Sequence, residues 1–487
     1  MKNIGKNAIY SILKSFCQVI FPLITFPYIS RTLLVENVGK INYSNSILSY
    51  ISLIAALGIT TYAVRECARV RDDKQLLENT ASQIFSINLI TTIAAYSVLI
   101  VVLIISKSLT QYRMLIGIMS ASIMFGTLGA DWLNTAMEDF QYITIRTFLC
   151  QFLSLIAMFL FVKEPDDYYK YALITAAASS GANISNMFYR KRFCRLRFTL
   201  QIDWKKHFPP ILLLFVMILS QTIFCNSDTT ILGFFKGDRA VGLYSTSVKV
   251  YNLVNTMIAS IAWVIMPQMS HAYEVKNRDE INRLFSYATG FIVVLGLPSI
   301  VGINMLCPEI ILLIAGSEYL PAYISLHILT VALSFSLIGG LIGNIVLIPS
   351  QQEKICLKSC IYAAVINAVL NMLLIPRFGL NAAAATTAFA QLIAALVNFK
   401  YMDRKIRLEN AKGIFLSSVV GSLAIIAVCA IAKRLIVSNT IMVLTAVGSS
   451  VVVYGIILLL LKNTFAMELI HNVQRKLKQR SIRNIKR

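Results

Sequence analysis

From Ala8 to Leu34 the chain reads AIYSILKSFCQVIFPLITFPYISRTLL. A helix needs roughly 20 apolar residues to cross a hydrocarbon core about 30 Å thick, and this run exceeds that length. It follows Lys2 and Lys6, outlasts a signal-peptide core and continues without a small-residue cleavage site, so it is expected to persist as a first membrane helix. Pro22 and Pro27 interrupt it. Proline frees backbone carbonyls, which a membrane tolerates only against protein or a wet cavity, so this helix is expected to be bent and to line a cavity.

Further runs of the same kind fill the chain. They lie near Ile41 to Ala63, Ala81 to Ser106, Tyr112 to Ala136, Ile143 to Val162 and Tyr168 to Tyr189, and after a basic break from Arg190 to Lys206 near Phe208 to Gly233, Val241 to Met266, Leu284 to Leu306, Tyr319 to Leu347, Cys356 to Ile375 and Leu380 to Lys400. Two last spans fall near Ile414 to Ala432 and Thr440 to Leu461. The fold class is therefore an all-α integral membrane protein of about 14 transmembrane helices. Composition agrees, with 57% hydrophobic and 14% charged residues over 487 positions.

The net charge of +22 would prompt a search for nucleic acid in a soluble protein, but no aromatic-interleaved basic domain is present. Membrane orientation accounts for it. With the N-terminus inside, most loop Lys and Arg fall in the even-numbered connections and the two tails, as cytoplasmic segments require. Both termini are expected in the cytoplasm. The stretch from Glu468 to Arg487 places Leu469, Ile470, Val473 and Leu477 near one helical face among basic residues, an anchor for anionic lipid.

Tyr43-Ser44-Asn45-Ser46-Ile47 and Tyr244-Ser245-Thr246-Ser247-Val248 open the second span of each six-helix block, each after a Val-Gly pair (Val38-Gly39, Val241-Gly242). An internal duplication is expected, as in transporters built from two halves. The expected division is 1–195 for the first lobe, 196–405 for the second, 406–462 for two added helices and 463–487 for a basic cytoplasmic tail.

Several chemistries are excluded. No phosphate-binding GxxxxGK[ST] loop occurs, no HExxH or paired-cysteine metal motif occurs, and His207, His271, His327 and His471 are scattered. Of the nine cysteines, Cys17, Cys150, Cys225, Cys360 and Cys429 fall in spans and Cys67 and Cys194 in loops expected to be cytoplasmic, so they read as small packing residues. The outer connections are too short to hold the acceptor site of a polymerase or ligase. No enzyme, metal or cofactor is expected.

Charges inside spans are costly and mark function by default. Lys14, Arg31 and Lys249 are candidate cavity residues, and Asp228, in the polar run Asn226-Ser227-Asp228-Thr229-Thr230, is a candidate coupling or charge-pair residue. Snorkelling to an interface would also satisfy Lys14 and Arg31, and a structural ion pair would also satisfy Asp228 and Lys249. Asp131 and Arg146, at the inner ends of the fourth and fifth spans, are read as structural charges. Asn183/Asn186 and Asn367/Asn371, each pair one turn apart, are expected to bond between helices.

The opening Phe21-Pro22-Leu23-Ile24-Thr25-Phe26-Pro27-Tyr28-Ile29-Ser30-Arg31, with Val38-Gly39, Leu57-Gly58-Ile59, Arg65-Glu66 and Arg71-Asp72-Asp73, resembles the Wzx-type polysaccharide flippases of the multidrug/oligosaccharidyl-lipid/polysaccharide (MOP) exporter superfamily. Asp131-Trp132, Glu138 through Ile143, Asp228 with Ile231-Leu232-Gly233, Met266-Pro267, Gly316 through Tyr319, Ile348-Pro349 and Gly379 through Ala385 are similar to further family landmarks. Ser350-Gln351-Gln352 departs from the pattern, standing where a glycine-containing turn is expected.

The resemblance implies two six-helix, MATE-like lobes plus two C-terminal helices. It implies a flippase of the bacterial inner membrane that moves an undecaprenyl-diphosphate-linked oligosaccharide outward by alternating access for O-antigen or related polysaccharide synthesis. Implied partners are the lipid-linked oligosaccharide, membrane lipids, and the polymerase and chain-length proteins of the same pathway, with no nucleic acid; proton or sodium coupling is open. The rival readings are a cation-coupled multidrug exporter of the same superfamily and, further off, a membrane polymerase or ligase.

Overall fold

A computed structural model describes the backbone of residues 4–467 and the side chains of Tyr10 and of residues 21–467. The side chain of Lys14 and the tail from residue 468 onward lie outside the described residues. All regular structure among the described residues is helical.

Eleven helices are long and apolar enough to cross a membrane, and two of them, Phe21–Arg69 and Trp204–Glu274, run for 49 and 71 residues. One crossing takes roughly 20 residues, so each of these holds two. The backbone shows where each divides: Leu34 (φ 63°, ψ 174°) and Gly237 (φ 77°, ψ −176°) leave the helical region. Tyr168–Tyr189 adds a helix of 22 residues, spanning about 33 Å, whose Thr, Ser and Asn side chains lower its hydropathy.

Fourteen crossings result among the described residues. They are α1 (4–33), α2 (35–56, continued by Ile59–Arg69), α3 (Lys74–Ile105), α4 (Arg113–Gly129), α5 (Phe140–Phe161), α6 (Tyr168–Tyr189), α7 (204–236), α8 (238–259, continued by Ile261–Glu274), α9 (Arg278–Ile314), α10 (Tyr323–Leu341), α11 (Glu353–Phe378), α12 (Leu380–Lys400), α13 (Ala411–Leu435) and α14 (Asn439–Leu460). The protein is a multi-pass, all-α membrane protein.

Local chemistry sets several ends. The Asp73 carboxylate accepts from the Gln75 and Leu76 amides and starts α3; the Asn277 side chain accepts from the Glu280 amide and starts α9. The fourth span stops at Gly129 instead of running to Ala136, because Ala130 turns left-handed (φ 49°, ψ 51°). Asp131 therefore opens a short separate helix, Asp131–Ala136. In the loop before α11, Gln351 takes the positive φ (62°) that a glycine would adopt more cheaply.

The order of elements repeats. A turn, a helix, a break and a short helix follow α1, with the break at Leu57-Gly58, and the same series follows α7, with the break at Ser260. Long α3 and α9 come next, then 3₁₀ turns at Lys107–Tyr112 and Ser317–Ala322, then α4 and α10. The duplication read from two short motifs thus extends through the helical elements.

The chain divides into two compact units, Met1–Ser245 with Asn371–Gly379, and Thr246–Leu370 with Leu380–Arg487. In the first, polar side chains tie helices together at carbonyls and hydroxyls. Asn88 and Thr91 of α3 bond the Ala55 carbonyl, Thr92 meets Thr127, and Asn186 of α6 donates to the Gly129 carbonyl at 2.8 Å while accepting from Asn134. In the second, Asn304 donates to Thr330 at 2.6 Å and meets His327, Tyr454 donates to the Val294 carbonyl, and Lys433 pairs with Glu309 at 2.7 Å, fastening α13 to α9. In a solvent that offers no hydrogen bonds, such contacts and close packing replace the hydrophobic drive between helices.

Candidate functional site

Two prolines in α1, Pro22 and Pro27, remove backbone donors from its second half, and Arg31 follows one turn later. Arg31 is exposed at the end of α1. Lys249 is exposed in the middle of α8, within the second unit. Neither side chain is sealed in a protein core.

Asp228 is different. It is 5% exposed in α7, and its carboxylate accepts from the Tyr244 hydroxyl at 2.6 Å and from the Asn371 amide at 2.5 Å. The donors come from the start of α8 and the end of α11, the parts of those helices that belong to the first unit. A buried carboxylate with two directed donors is held as a strong acceptor. Around it, Thr230 donates to Ser46 at 3.0 Å, and Tyr43 packs so closely on Gly233 that a Cβ there would lie 2.1 Å from its ring.

Asp131 and Arg146 come together in an ion pair of 2.7 Å. Arg146 is only 7% exposed, and its guanidinium lies 5.2 Å from the Tyr142 ring centre. The pair also borders a cavity of about 450 Å³ among α1, α5 and α6, lined by Pro22, Thr25, Thr147, Gln151, Ser154, Thr175 and Ser179 among others. Sequence reading did not find this cavity. Its signal was the polar stripe Arg146-Thr147, Cys150-Gln151 and Ser154 along α5, with Thr175 and Ser179 one turn apart on α6.

Equally absent from the sequence reading was the contact between the starts of α2 and α8. A Cβ on Gly39 would lie 1.9 Å from the Asp238 carbonyl oxygen, and a Cβ on Gly242 would lie 2.1 Å from the Val35 carbonyl oxygen. Asn42 donates to Ser245 at 2.9 Å between them, and Tyr112 donates to the Asp238 carboxylate at 2.6 Å beside them. The Val-Gly pairs seen as repeat markers are the points where two backbones touch.

The profile of the polysaccharide biosynthesis protein family matches residues 4–273. The chain belongs to that family. A Shigella dysenteriae protein named for O-antigen transport is 22% identical over 410 residues, which cover 81% of this chain and 99% of the relative. Among solved structures, the lipid II flippase MurJ in an inward closed conformation matches with a TM-score of 0.73 at 17% identity, covering 95% of this chain and all of that one. An inward-facing MATE-family multidrug transporter of the MOP superfamily matches with a TM-score of 0.57 at 14% identity, covering 84% and 95%. At those identities the likeness is one of fold, and the fold is that of the MOP transporters.

Proposed function

We propose that this family member is a flippase that moves an undecaprenyl-diphosphate-linked oligosaccharide repeat unit from the cytoplasmic to the outer face of a bacterial inner membrane, by alternating access of two halves. The observation that carries the reading is the exposure of Arg31 and Lys249, two cations inside membrane spans. A cation facing lipid at mid-span costs about 3 kcal/mol on insertion scales, so Lys249, in the middle of α8, favours a water-filled cavity, which Arg31 near the end of α1 would extend. A diphosphate head supplies the anion, the prenyl tail stays in lipid, and the sugars stay in water.

Lys14 completes the proposed cationic set. Asp228, held by Tyr244 and Asn371, tunes Lys249 or takes a coupling proton or sodium ion. Membrane potential assists export: one elementary charge moving through 100 mV is worth about 2.3 kcal/mol, so a dianionic head leaving an inside-negative cell gains about 5 kcal/mol. The product would pass to a polymerase and its chain-length partner, and both termini of the flippase would remain cytoplasmic. A multidrug exporter on the same fold would favour acidic cavity residues for cationic drugs, and the cations named here disfavour it.

The test is complementation of a deletion strain with Arg31→Ala and Lys249→Ala. Both variants should insert normally, lose surface polysaccharide and accumulate lipid-linked repeat units on the cytoplasmic face. Undiminished surface polysaccharide in both would overturn the reading.

A further inference from the structure

The cavity in the first unit holds polar groups without partners. Arg146 uses Nη2 to bind Asp131, but its Nε and Nη1 groups, both buried, have no hydrogen-bond partner, and neither has the buried Oε1 of Gln151. Each such orphan costs about 1–3 kcal/mol when nothing occupies the space beside it. All three belong to residues that line the same cavity. Helix α6 borders it with Thr175 and Ser179, both exposed, so the chamber is accessible from that side.

The polarity of the orphans selects the visitor. Arg146 offers donors and Gln151 offers an acceptor. An inorganic anion satisfies the first and not the second, and the Asp131 carboxylate already neutralises the guanidinium. A metal cation would face the guanidinium directly. A hydroxyl group accepts and donates at once, and several hydroxyls on one ring answer the spread of polar atoms here. At about 450 Å³ the cavity has room for a sugar ring with water.

We infer that the chamber among α1, α5 and α6 is a carbohydrate subsite, in which Arg146 donates to, and Gln151 accepts from, the hydroxyls of a neutral sugar ring. This deepens the proposed function and rests on it: the ring would belong to the glycan of the lipid-linked substrate. Asp131 acts as a positioning residue that holds Nη2 and leaves the rest of the guanidinium fork turned to the sugar.

Cys150 lines the same chamber and supplies a native reporter. The full chain, keeping Cys150 as its one cysteine, is reconstituted and labelled with a small water-soluble methanethiosulfonate. Methyl glycosides of a hexose and of an N-acetylhexosamine should slow labelling about threefold when present at twice their Kd. Gln151→Leu and Arg146→Lys, the latter keeping the charge but losing the fork, should abolish that protection, each variant being compared with its own rate without sugar.

Equal protection in Gln151→Leu, protection by inorganic phosphate or chloride without protection by the glycosides, or no protection by any of them would each overturn the subsite. Labelling does not depend on translocation. Loss of the subsite with the Arg31 and Lys249 phenotypes intact would leave the flippase reading standing, and the reverse result would remove the flippase reading alone.

Discussion

The turn from α1 into α2 and the turn from α7 into α8 have nearly the same backbone and different chemistry. Leu34 and Gly237 share a conformation, and each stands four residues ahead of its Val-Gly pair. Three residues before the turns, Arg31 faces Phe234 in the comparison; nine before, Thr25 faces Asp228; twelve after, Ser46 faces Lys249. The groups that set backbone proximity are duplicated, and the ionisable candidates are not. The backbone turn recurs in both halves, and the charges that would meet a substrate do not.

The largest effect is expected where the copies touch. An alanine at Gly39 or at Gly242 must push back a carbonyl oxygen now placed 1.9 or 2.1 Å from the new Cβ, and backbone cannot swing aside as a side chain can. Each substitution should cost about 3 kcal/mol, the upper part of the range for overpacking, and lower the thermal unfolding midpoint of the purified protein by similar amounts. Alanine at Gly117 or Gly448, where a Cβ meets nothing within 4 Å, is the control and should leave the midpoint unchanged. A harmless Gly242→Ala beside a damaging Gly39→Ala would break the equivalence of the two contacts.

Next comes the asymmetric pair Asp228 and Thr25. Asn371→Leu takes an amide donor away from a buried carboxylate, a loss of about 2 kcal/mol. Thr25 is half-buried and, among the described residues, its hydroxyl reaches the Pro22 carbonyl of its own helix at 3.5 Å, so Thr25→Val should change stability by less than about 0.5 kcal/mol. Thermal midpoints of the two variants measured side by side decide the matter; equal losses would mean that Asp228 is no more embedded than its counterpart.

A smaller effect, of opposite sign in the two copies, is expected at the turns themselves. The region occupied by Leu34 and Gly237 is open to glycine and costs other residues about 1–3 kcal/mol. Leu34 is 38% exposed, so Leu34→Gly relieves strain with little packing lost, offset in part by glycine's freedom in the unfolded chain. A gain of about 1 kcal/mol is expected. Gly237→Ala meets no atom within 4 Å and should lose about 1–2 kcal/mol for conformational reasons alone. A loss in both would show that the Leu34 side chain is needed where it stands.

These contrasts also show what the residues alone could disclose. Crossings were legible because a long apolar run has few other fates, and even α6, whose polar side chains dilute its hydropathy, kept the required length. The turn at Leu34 was not legible, since leucine disfavours the conformation it adopts. Tyr43 to Ile47 and Tyr244 to Val248 pointed to the duplication in a register two residues off the one the turns set, which brings Thr246 opposite Tyr43, and the role of the glycines before them depends on a backbone from another part of the chain. The cavity escaped for a related reason. Asp131 and Arg146 satisfy each other well enough on paper to look finished, and only three-dimensional placement shows two more guanidinium nitrogens and Gln151 left over.

The smallest effect lies between Asn42 and Ser245, which occupy corresponding positions and bond to each other. Each also bonds back along its own helix, Asn42 to the Val38 carbonyl at 2.9 Å and Ser245 to the Val241 carbonyl at 2.7 Å. Replacing either by alanine therefore removes the shared bond together with private contacts, and single losses cannot separate them. A double-mutant cycle can, because the private bonds cancel. The coupling between Asn42→Ala and Ser245→Ala should be about 1 kcal/mol, the net worth of one neutral hydrogen bond away from water. A coupling near zero would mean that the close approach of the Gly39 and Gly242 backbones holds the two helix starts together unaided, and that the polar pair merely fills the place where equivalent residues meet.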